Sequence, residues 1–135
     1  MTQLIDVVML TKNSEHLLER CIASIYRNVP VKNLIVIDGF STDRTLKILE
    51  EADKKYGNVK VLTIEGTRAR AREKGIRQVT TDWFMFVDSD VILSRGWFRK
   101  AEKHIAADVG AVWGVNIDVI PNMKAKHVLK LQSLI

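Results

Sequence analysis

The chain has 135 residues, 47% hydrophobic and 27% charged, with seven glycines and two prolines, so one folded domain over residues 1–135 is expected and disordered and fibrous classes are excluded. Its formal net charge of +5 favours phosphates, nucleic acid or an anionic membrane surface, although a basic solvated surface explains the charge equally well. The single cysteine excludes an intrachain disulfide, and no apolar run approaches the roughly 20 residues of a membrane span, so we expect a soluble, cytoplasmic protein.

Short apolar runs alternate with amphipathic stretches along the chain, which predicts α/β units around a mostly parallel sheet flanked by helices. Five strands are predicted, at Ile5–Leu10, Leu34–Ile37, Val59–Ile64, Trp83–Val87 and Ala111–Val115. Apolar residues at helical spacing predict crossover helices after the first two strands, on Leu18, Cys21, Ile22 and Ile25 and on Thr45, Ile48, Leu49 and Ala52. A third helix is predicted over residues 68–78. A fourth follows Gly96, with Trp97, Ala101 and Ile105 on one stripe.

The end of the chain predicts a terminal amphipathic helix over residues 121–135. Its apolar stripe is Val128, Leu131 and Ile135, and its lysines lie on the opposite side. Apolar stripes of this kind tend to find partners or membrane surfaces, so we expect a homo-oligomer or a peripheral membrane contact, on the cytosolic face, and favour self-association. The alternative is that the helix folds back onto its own sheet.

Polar clusters follow three of the predicted strands at their carboxyl ends. They are Thr11-Lys12-Asn13, Asp38-Gly39-Phe40-Ser41 and Asp88-Ser89-Asp90. In open parallel α/β sheets, ligands bind in the crevice outside these strand ends, at the point where the strand order reverses. The three clusters are therefore expected to converge on one site.

Asp88 and Asp90 flank a serine directly after an apolar strand, which places both carboxylates where the chain leaves the regular pleat. Mg²⁺ or Mn²⁺ held by one or two carboxylates and completed by substrate phosphates is the usual arrangement for these ions. The sequence therefore predicts a divalent-metal site at Asp88 and Asp90. The alternative is that Asp88 and Ser89 only cap or turn the chain into the next helix.

The third predicted helix is rich in arginine, which also invites a nucleic-acid interpretation. Helical geometry assigns Arg70, Lys74 and Arg77 to a solvated face and aims Arg68 and Arg72 toward the sheet. A guanidinium in that position needs a carboxylate or a phosphate. We expect a diphosphate or an active-site aspartate as the partner of Arg68 and Arg72, with structural pairing to Asp or Glu as the alternative.

The sequence resembles family 2 glycosyltransferases with the Rossmann-like GT-A fold, which transfer sugars from nucleotide-diphospho-sugar donors. Four segments carry the resemblance in order: Val7 to Glu15, Ile35 to Thr45, Ala71-Arg72-Glu73-Lys74-Gly75, and Phe86-Val87-Asp88-Ser89-Asp90. The second segment is similar to the family signature Val-Asp-Asp-Gly-Ser-Thr-Asp-Gly-Thr. Gly39 replaces its second aspartate and Phe40 its glycine, which leaves the nucleotide open, and Glu73 replaces the asparagine of the third motif.

The resemblance implies that Thr11, Asn13, Glu15 and Asp38 line a nucleoside pocket and that Arg72 lies near the donor. It also implies that Asp88 and Asp90 handle the ribose, diphosphate and metal. Family members usually continue into an acceptor half with a catalytic carboxylate, and here the catalytic residue is unknown, with Asp118 as a candidate.

The leading hypothesis is therefore a metal-assisted, inverting glycosyltransferase that uses a nucleotide-diphosphate sugar. Its acceptor, a glycan, lipid or protein, is unknown. One alternative is a non-catalytic donor-binding module or a fragment that lacks the acceptor half. A basic nucleic-acid-binding domain is a further alternative and predicts salt-dependent binding without a metal. We expect no nucleic-acid partner.

Overall fold

A computed structural model describes residues 3–114 of the chain. These residues divide into two compact units, one ending at Arg99 and the other beginning at Lys100, and each is described by itself. The prediction of a single domain over residues 1–135 stays a prediction.

The first unit is built on a four-stranded sheet with parallel pairing throughout. Its strands are β1 (Ile5–Thr11), β2 (Val31–Asp38), β3 (Val59–Thr63) and β4 (Phe84–Phe86). The order across the sheet is β3-β2-β1-β4. The chain therefore builds outward from β1 in one direction and then adds β4 on the other side of β1. The predicted α/β class with a parallel sheet is confirmed.

Helices cover both faces of this sheet because successive strand residues point to opposite sides. The helices are α1 (Glu15–Asn28), α2 (Thr45–Tyr56), α3 (Arg68–Ile76) and α4 (Trp97–Ala101). Val7 and Met9 of β1 pack against α1 and α2, whereas Val8 between them packs on the opposite face with Ala71 of α3. The apolar stripes predicted for α1 and α2 are buried, as expected.

Helix α3 lies on the sheet through its smallest side chains. Ala71 and Gly75 are its buried residues, and a Cβ at Gly75 would lie 2.5 Å from Cγ1 of Val8. The prediction that Arg68 and Arg72 face the sheet is wrong, because both are exposed. Ile76 is 44% exposed as well, since the close approach at Gly75 turns the stripe of Ala71 and Gly75 inward.

Two of the remaining predicted elements differ from the structure. The fourth helix ends at Ala101 and continues only as a 3-10 turn at Glu102–His104, so no single helix carries Ala101 and Ile105. Residues 111–114 form no strand, and Trp113 is 84% exposed, because β-branched residues form strands only where a neighbouring strand pairs with them. Val115 and the predicted helix over 121–135 lie outside the described residues. Within residues 3–114 no helix is long and apolar enough to span a bilayer.

Candidate functional site

The carboxyl ends of β1 and β4 enclose the point where the strand order of the sheet reverses. Parallel α/β sheets bind ligands in the crevice that opens there. The segment after β1 is Lys12 to Ser14, and the segment after β4 carries Asp88 and Asp90. The loop after β2, residues 39–44, lies directly beside the first of these segments.

Asp38 joins the end of β1 to the loop after β2. Its carboxylate is fully buried and accepts a 2.7 Å hydrogen bond from the hydroxyl of Thr11. The same carboxylate accepts bonds from the backbone N–H of Ser41 at 2.8 Å and from its hydroxyl at 2.6 Å. Three donors thus satisfy this buried charge. Asp38 is therefore a support within the wall of the site rather than a group exposed at its surface.

Asn13 joins the same two loops nearer the surface. Its backbone is in the left-handed region, with φ of 47°, and its N–H donates to the hydroxyl of Ser41 at 2.8 Å. Its side-chain oxygen accepts a 2.8 Å bond from the N–H of Thr42. The predicted residues Thr11, Asn13 and Asp38 therefore lie close together. Thr11 bonds to Asp38, and both Asp38 and Asn13 bond to the loop after β2.

Glu15 and Asp43 join the start of α1 to the residues that precede α2. The carboxylate of Glu15 accepts a 3.0 Å bond from the N–H of Arg44, and the N–H of Glu15 donates to Asp43 at 3.2 Å. Burial raises the pKa of Asp43, but hydrogen bonds from Thr45 and from the N–H of Glu15 outweigh it and hold this pKa below its usual value. Asp43 is therefore a carboxylate in the resting protein, and it fixes the start of two helices at once.

Asp88 and Asp90 are both exposed after β4. Neither side chain has a hydrogen-bond or ion-pair partner within residues 3–114. The segment makes a turn, in which the N–H of Val91 donates to the carbonyl of Asp88 at 3.0 Å, and the next helix begins only at Trp97. The pair therefore does not cap a following helix.

Ser89, between the two aspartates, connects this segment to the loop after β1. Its hydroxyl lies 3.0 Å from the hydroxyl of Ser14 and donates to it. Ser14 in turn donates its backbone N–H to the hydroxyl of Thr45 at 2.8 Å. The aspartate pair, the β1 loop and the start of α2 therefore form one hydrogen-bonded assembly.

Cys21 of α1 lies beneath the aspartate pair. Its Sγ donates a 3.4 Å hydrogen bond to the carbonyl of Asp88. Burial raises the pKa of this thiol to about 12, and the negative charges of Asp90 and Asp88 add to the shift. Cys21 is therefore a protonated, structural thiol, as its place in the buried stripe of α1 predicts.

The paired carboxylates fit a hard divalent cation. Carboxylate oxygens are the ligands that Mg²⁺ and Mn²⁺ prefer, and Mg²⁺ in particular is held by one or two of them together with substrate phosphates and water. The described part of the chain contains no group of three His, Cys, Asp or Glu residues that would form a complete protein cage. Among the described residues, Asp88 and Asp90 would therefore supply only part of the coordination of such a cation.

Arg68 stands in the first turn of α3, and Arg72 follows one turn later. The ion pairs within residues 3–114 are Lys54 with Glu50 and Arg77 with Glu73. Arg68 and Arg72 take part in no ion pair within these residues. The alternative of structural pairing to Asp or Glu is not seen in this part of the chain. Asp118, the candidate base, lies outside the described residues.

Several residues that support the candidate site were not assigned a role of their own from the sequence. They are Ser14, Ser41, Asp43, Thr45 and Ser89. Most are Ser, Thr or Asp at a strand end or a helix start, which are the positions where short polar side chains bind nearby backbone groups. The preference of Ser, Thr and Asp for helix starts and strand ends could therefore have identified these residues. It would have identified residues that support the loops, not residues that contact a ligand.

The chain is similar to known proteins in sequence and in fold. The family model for "Glycosyl transferase family 2" matches residues 6–132. Poly(ribitol-phosphate) beta-glucosyltransferase of Bacillus spizizenii is 29% identical over 134 residues, which cover 91% of this chain and 21% of that protein.

Two solved structures share the fold. Staphylococcus aureus TarS in complex with UDP has a TM-score of 0.64 and 27% identity, covering 75% of this chain and 31% of that one. Glucosyl-3-phosphoglycerate synthase from Mycobacterium tuberculosis, in complex with Mn²⁺, UDP and phosphoglyceric acid, has a TM-score of 0.59 and 26% identity, covering 73% of this chain and 37% of that one. The predicted GT-A fold is confirmed, and the chain spans less than two fifths of each of these proteins.

Proposed function

Because the chain belongs to glycosyl transferase family 2, we propose that it forms the donor-binding part of a glycosyltransferase that takes a nucleotide-diphosphate sugar. One observation carries the proposal. Asp88 and Asp90 are exposed at the switch point of the sheet without partners in the described part of the chain, and Ser89 between them is bonded to the loop after β1.

Asp88 and Asp90 are the proposed ligands of Mn²⁺ or Mg²⁺, with the donor diphosphate supplying further oxygen atoms. A cation held by these residues would supply positive charge that stabilises the departing diphosphate. The Mycobacterium tuberculosis synthase in complex with Mn²⁺ and UDP supports this use of a metal. Ser89 contributes by fixing the turn that carries both carboxylates, through its bond to Ser14.

The wall made by the loops after β1 and β2 is the proposed nucleoside side of the site. Thr11 and Asp38 support it from within, whereas Asn13 is exposed on it. Arg68 and Arg72 remain predicted donor contacts, now as exposed cations of α3 rather than as sheet-facing ones. UDP is the first nucleotide to test, because both similar structures hold it.

Transfer with inversion also requires a base to take the acceptor proton. We assign no such base among residues 3–114, and Asp118 remains a candidate outside them. The acceptor is not assigned and can be a glycan, a lipid or a protein. Self-association or membrane contact through residues 121–135 likewise remains a prediction.

Titrating a panel of nucleotide-diphosphate sugars and free nucleotides, with and without Mn²⁺, tests the proposal. Tight binding of one nucleoside diphosphate family only in Mn²⁺ supports it, and sugar release or transfer in the same samples separates a transferase from a binding module. Binding of nucleic acid that falls steeply with salt and ignores Mn²⁺ would favour the alternative instead.

A further inference from the structure

Helix α1 carries a polar stripe on its inward side. Cys21, Ser24 and Asn28 lie three and four residues apart, which places them on one face of the helix. Cys21 and Ser24 are buried and Asn28 is half-buried. Polar side chains in such positions cost stability unless they find hydrogen-bond partners. The backbone of segment 88–96 supplies those partners.

Three hydrogen bonds join the stripe to this segment, in the same order along both. Cys21 donates from Sγ to the carbonyl of Asp88 at 3.4 Å. Ser24 accepts at Oγ from the N–H of Leu93 at 3.0 Å, and Asn28 accepts at Oδ1 from the N–H of Gly96 at 2.8 Å. The segment has no helix or strand before Trp97, so these side chains satisfy backbone groups that secondary structure leaves open.

Ser24 and Asn28 are themselves held by α1. The hydroxyl of Ser24 donates to the carbonyl of Cys21 at 2.7 Å, and the side-chain N–H of Asn28 donates to the carbonyl of Ser24 at 2.8 Å. Each side chain therefore uses its donor on its own helix and presents its oxygen to segment 88–96. Because the two orientations are fixed in advance, little side-chain freedom is lost when the segment docks.

The same helix also begins at the nucleoside wall. Glu15, its first residue, is bonded to the loop after β2, while Ser24 and Asn28, further along the helix, are bonded to segment 88–96. One rigid element thus connects the wall with the turn that carries Asp88 and Asp90.

We propose that Ser24 and Asn28 are positioning residues that hold segment 88–96 on α1 and so set the placement of Asp88 and Asp90 for a divalent cation. This inference rests on the proposed function, since it takes the two aspartates as metal ligands. Neither side chain touches the cation or the donor. Their effect passes through the backbone of the segment.

The test measures metal use in Ser24→Ala and Asn28→Ala of the full chain. The Mn²⁺ concentration that gives half-maximal UDP binding is expected to rise about three- to tenfold in each variant, which corresponds to one lost hydrogen bond. Residual UDP binding in EDTA should not change. Arg20→Ala, an exposed position of the same helix, is the surface control and should leave both values as they are.

A second control separates positioning from general stability. Ile25→Val removes one methylene from the buried face of α1 and lowers stability by a similar amount without touching the three hydrogen bonds. If Ile25→Val raised the Mn²⁺ requirement as much as Ser24→Ala does, the positioning role would be overturned. Asn28→Ala alters a half-buried position, so its Mn²⁺ requirement can still be measured if Ser24→Ala does not fold.

Hydrogen–deuterium exchange without metal gives an independent readout. The amides of Leu93 and Gly96 should exchange faster in Ser24→Ala and Asn28→Ala respectively, while amides of β2 keep their protection. Unchanged exchange at both amides overturns the positioning role even if UDP binding requires Mn²⁺. An unaltered protein that binds UDP without any dependence on Mn²⁺ overturns the assignment of Asp88 and Asp90 instead, and with it the proposed function.

Discussion

The hydroxyl of Thr11 donates a 2.7 Å hydrogen bond to the carboxylate of Asp38, and the two buried residues are register partners at the carboxyl ends of β1 and β2. The same carboxylate also accepts two bonds from Ser41. Asp38 therefore connects the sheet to the loop that forms the nucleoside wall. Its contribution to ligand binding passes through the shape of that loop.

Asp38→Asn should lower both stability and UDP affinity. An amide offers one acceptor oxygen in place of two, so its NH₂ group faces a donor and at least one bond is lost. We expect a loss of about 1–3 kcal/mol in the free energy of unfolding, because a buried donor is left unsatisfied. Urea unfolding measures it, with the exposed Glu65→Gln as control. Equal midpoints for Asp38→Asn and the unaltered chain would contradict the role of this carboxylate.

Phe40→Gly should move stability and binding in opposite directions. Phe40 has a φ of 57° and is 53% exposed beside Ser41 in the nucleoside wall. Left-handed backbone costs a non-glycine residue about 1 kcal/mol, so glycine relieves strain. The exposed ring can stack on a nucleobase, a contact worth about 1–3 kcal/mol.

Phe40→Leu is the matched control, because it keeps the strained backbone and removes only the ring. It should weaken UDP binding without a gain in stability. Calorimetric UDP titration and thermal unfolding of both variants check the two effects. Full UDP affinity in both would show that the ring is not part of the binding surface.

Gly75→Ala should destabilise the chain by up to about 2 kcal/mol, because overpacking outweighs the helix propensity that alanine adds. The new Cβ would lie 2.5 Å from Cγ1 of Val8, a fully buried residue in the middle of the sheet. Gly110→Ala, where a Cβ meets nothing within 4 Å, should leave stability unchanged or slightly higher. Combining Gly75→Ala with Val8→Ala should cost less than the sum of the two, and simple additivity would argue against this contact.

The stability of the chain should fall in acid partly through Asp6. Burial raises the pKa of this carboxyl. Hydrogen bonds from Thr80 and Asn33 and the charge of Lys32 lower the pKa by more than burial raises it, so the pKa lies below the ordinary 3.8. The folded state therefore favours the ionised form. Its contribution is complete above the ordinary pKa and is lost as the pH falls through the lower pKa of the folded state.

Asp6→Asn should reduce stability at neutral pH and flatten the acid dependence, because the substituted side chain no longer titrates. Chemical unfolding at several pH values between about 7 and 2 measures both effects. Asp82→Asn, an exposed carboxylate without a hydrogen-bond partner in the described residues, should keep the acid dependence of the unaltered chain. An Asp6→Asn curve parallel to that of the unaltered chain would contradict the assignment.

Periodicity predicted the parallel sheet and the buried faces of α1 and α2, since these patterns repeat over several turns or strand residues. It failed at α3, where the inward face consists of Ala71 and Gly75. Small residues carry little hydrophobic signal, and the close approach that they permit depends on Val8, far away in the sequence. It also failed for the fifth strand, because the residues 111–114 that were assigned to it form no strand.

The convergence of loops at the candidate site could be predicted from the sequence, but the contacts within these loops could not. Polar clusters after parallel strands meet at one edge of the sheet, so Asp38 and Asp88 were expected near each other's loops. Whether a carboxylate is exposed, or buried and hydrogen-bonded to neighbouring residues, depends on pairings such as that of Thr11 with Asp38. Those pairings are set by strand register and loop geometry, which no spacing in the sequence encodes.

Calorimetric titration of UDP into the unaltered chain, in excess Mn²⁺ and in EDTA, tests the central claim most directly. We predict binding at least about tenfold tighter in Mn²⁺, equivalent to about 1.4 kcal/mol, and loss of that difference in Asp88→Ala and in Asp90→Ala. Asp82→Ala, an exposed carboxylate at the opposite end of β4, should retain it. Equal UDP affinity in Mn²⁺ and EDTA, or a full metal effect in both aspartate variants, would contradict the metal-assisted donor site.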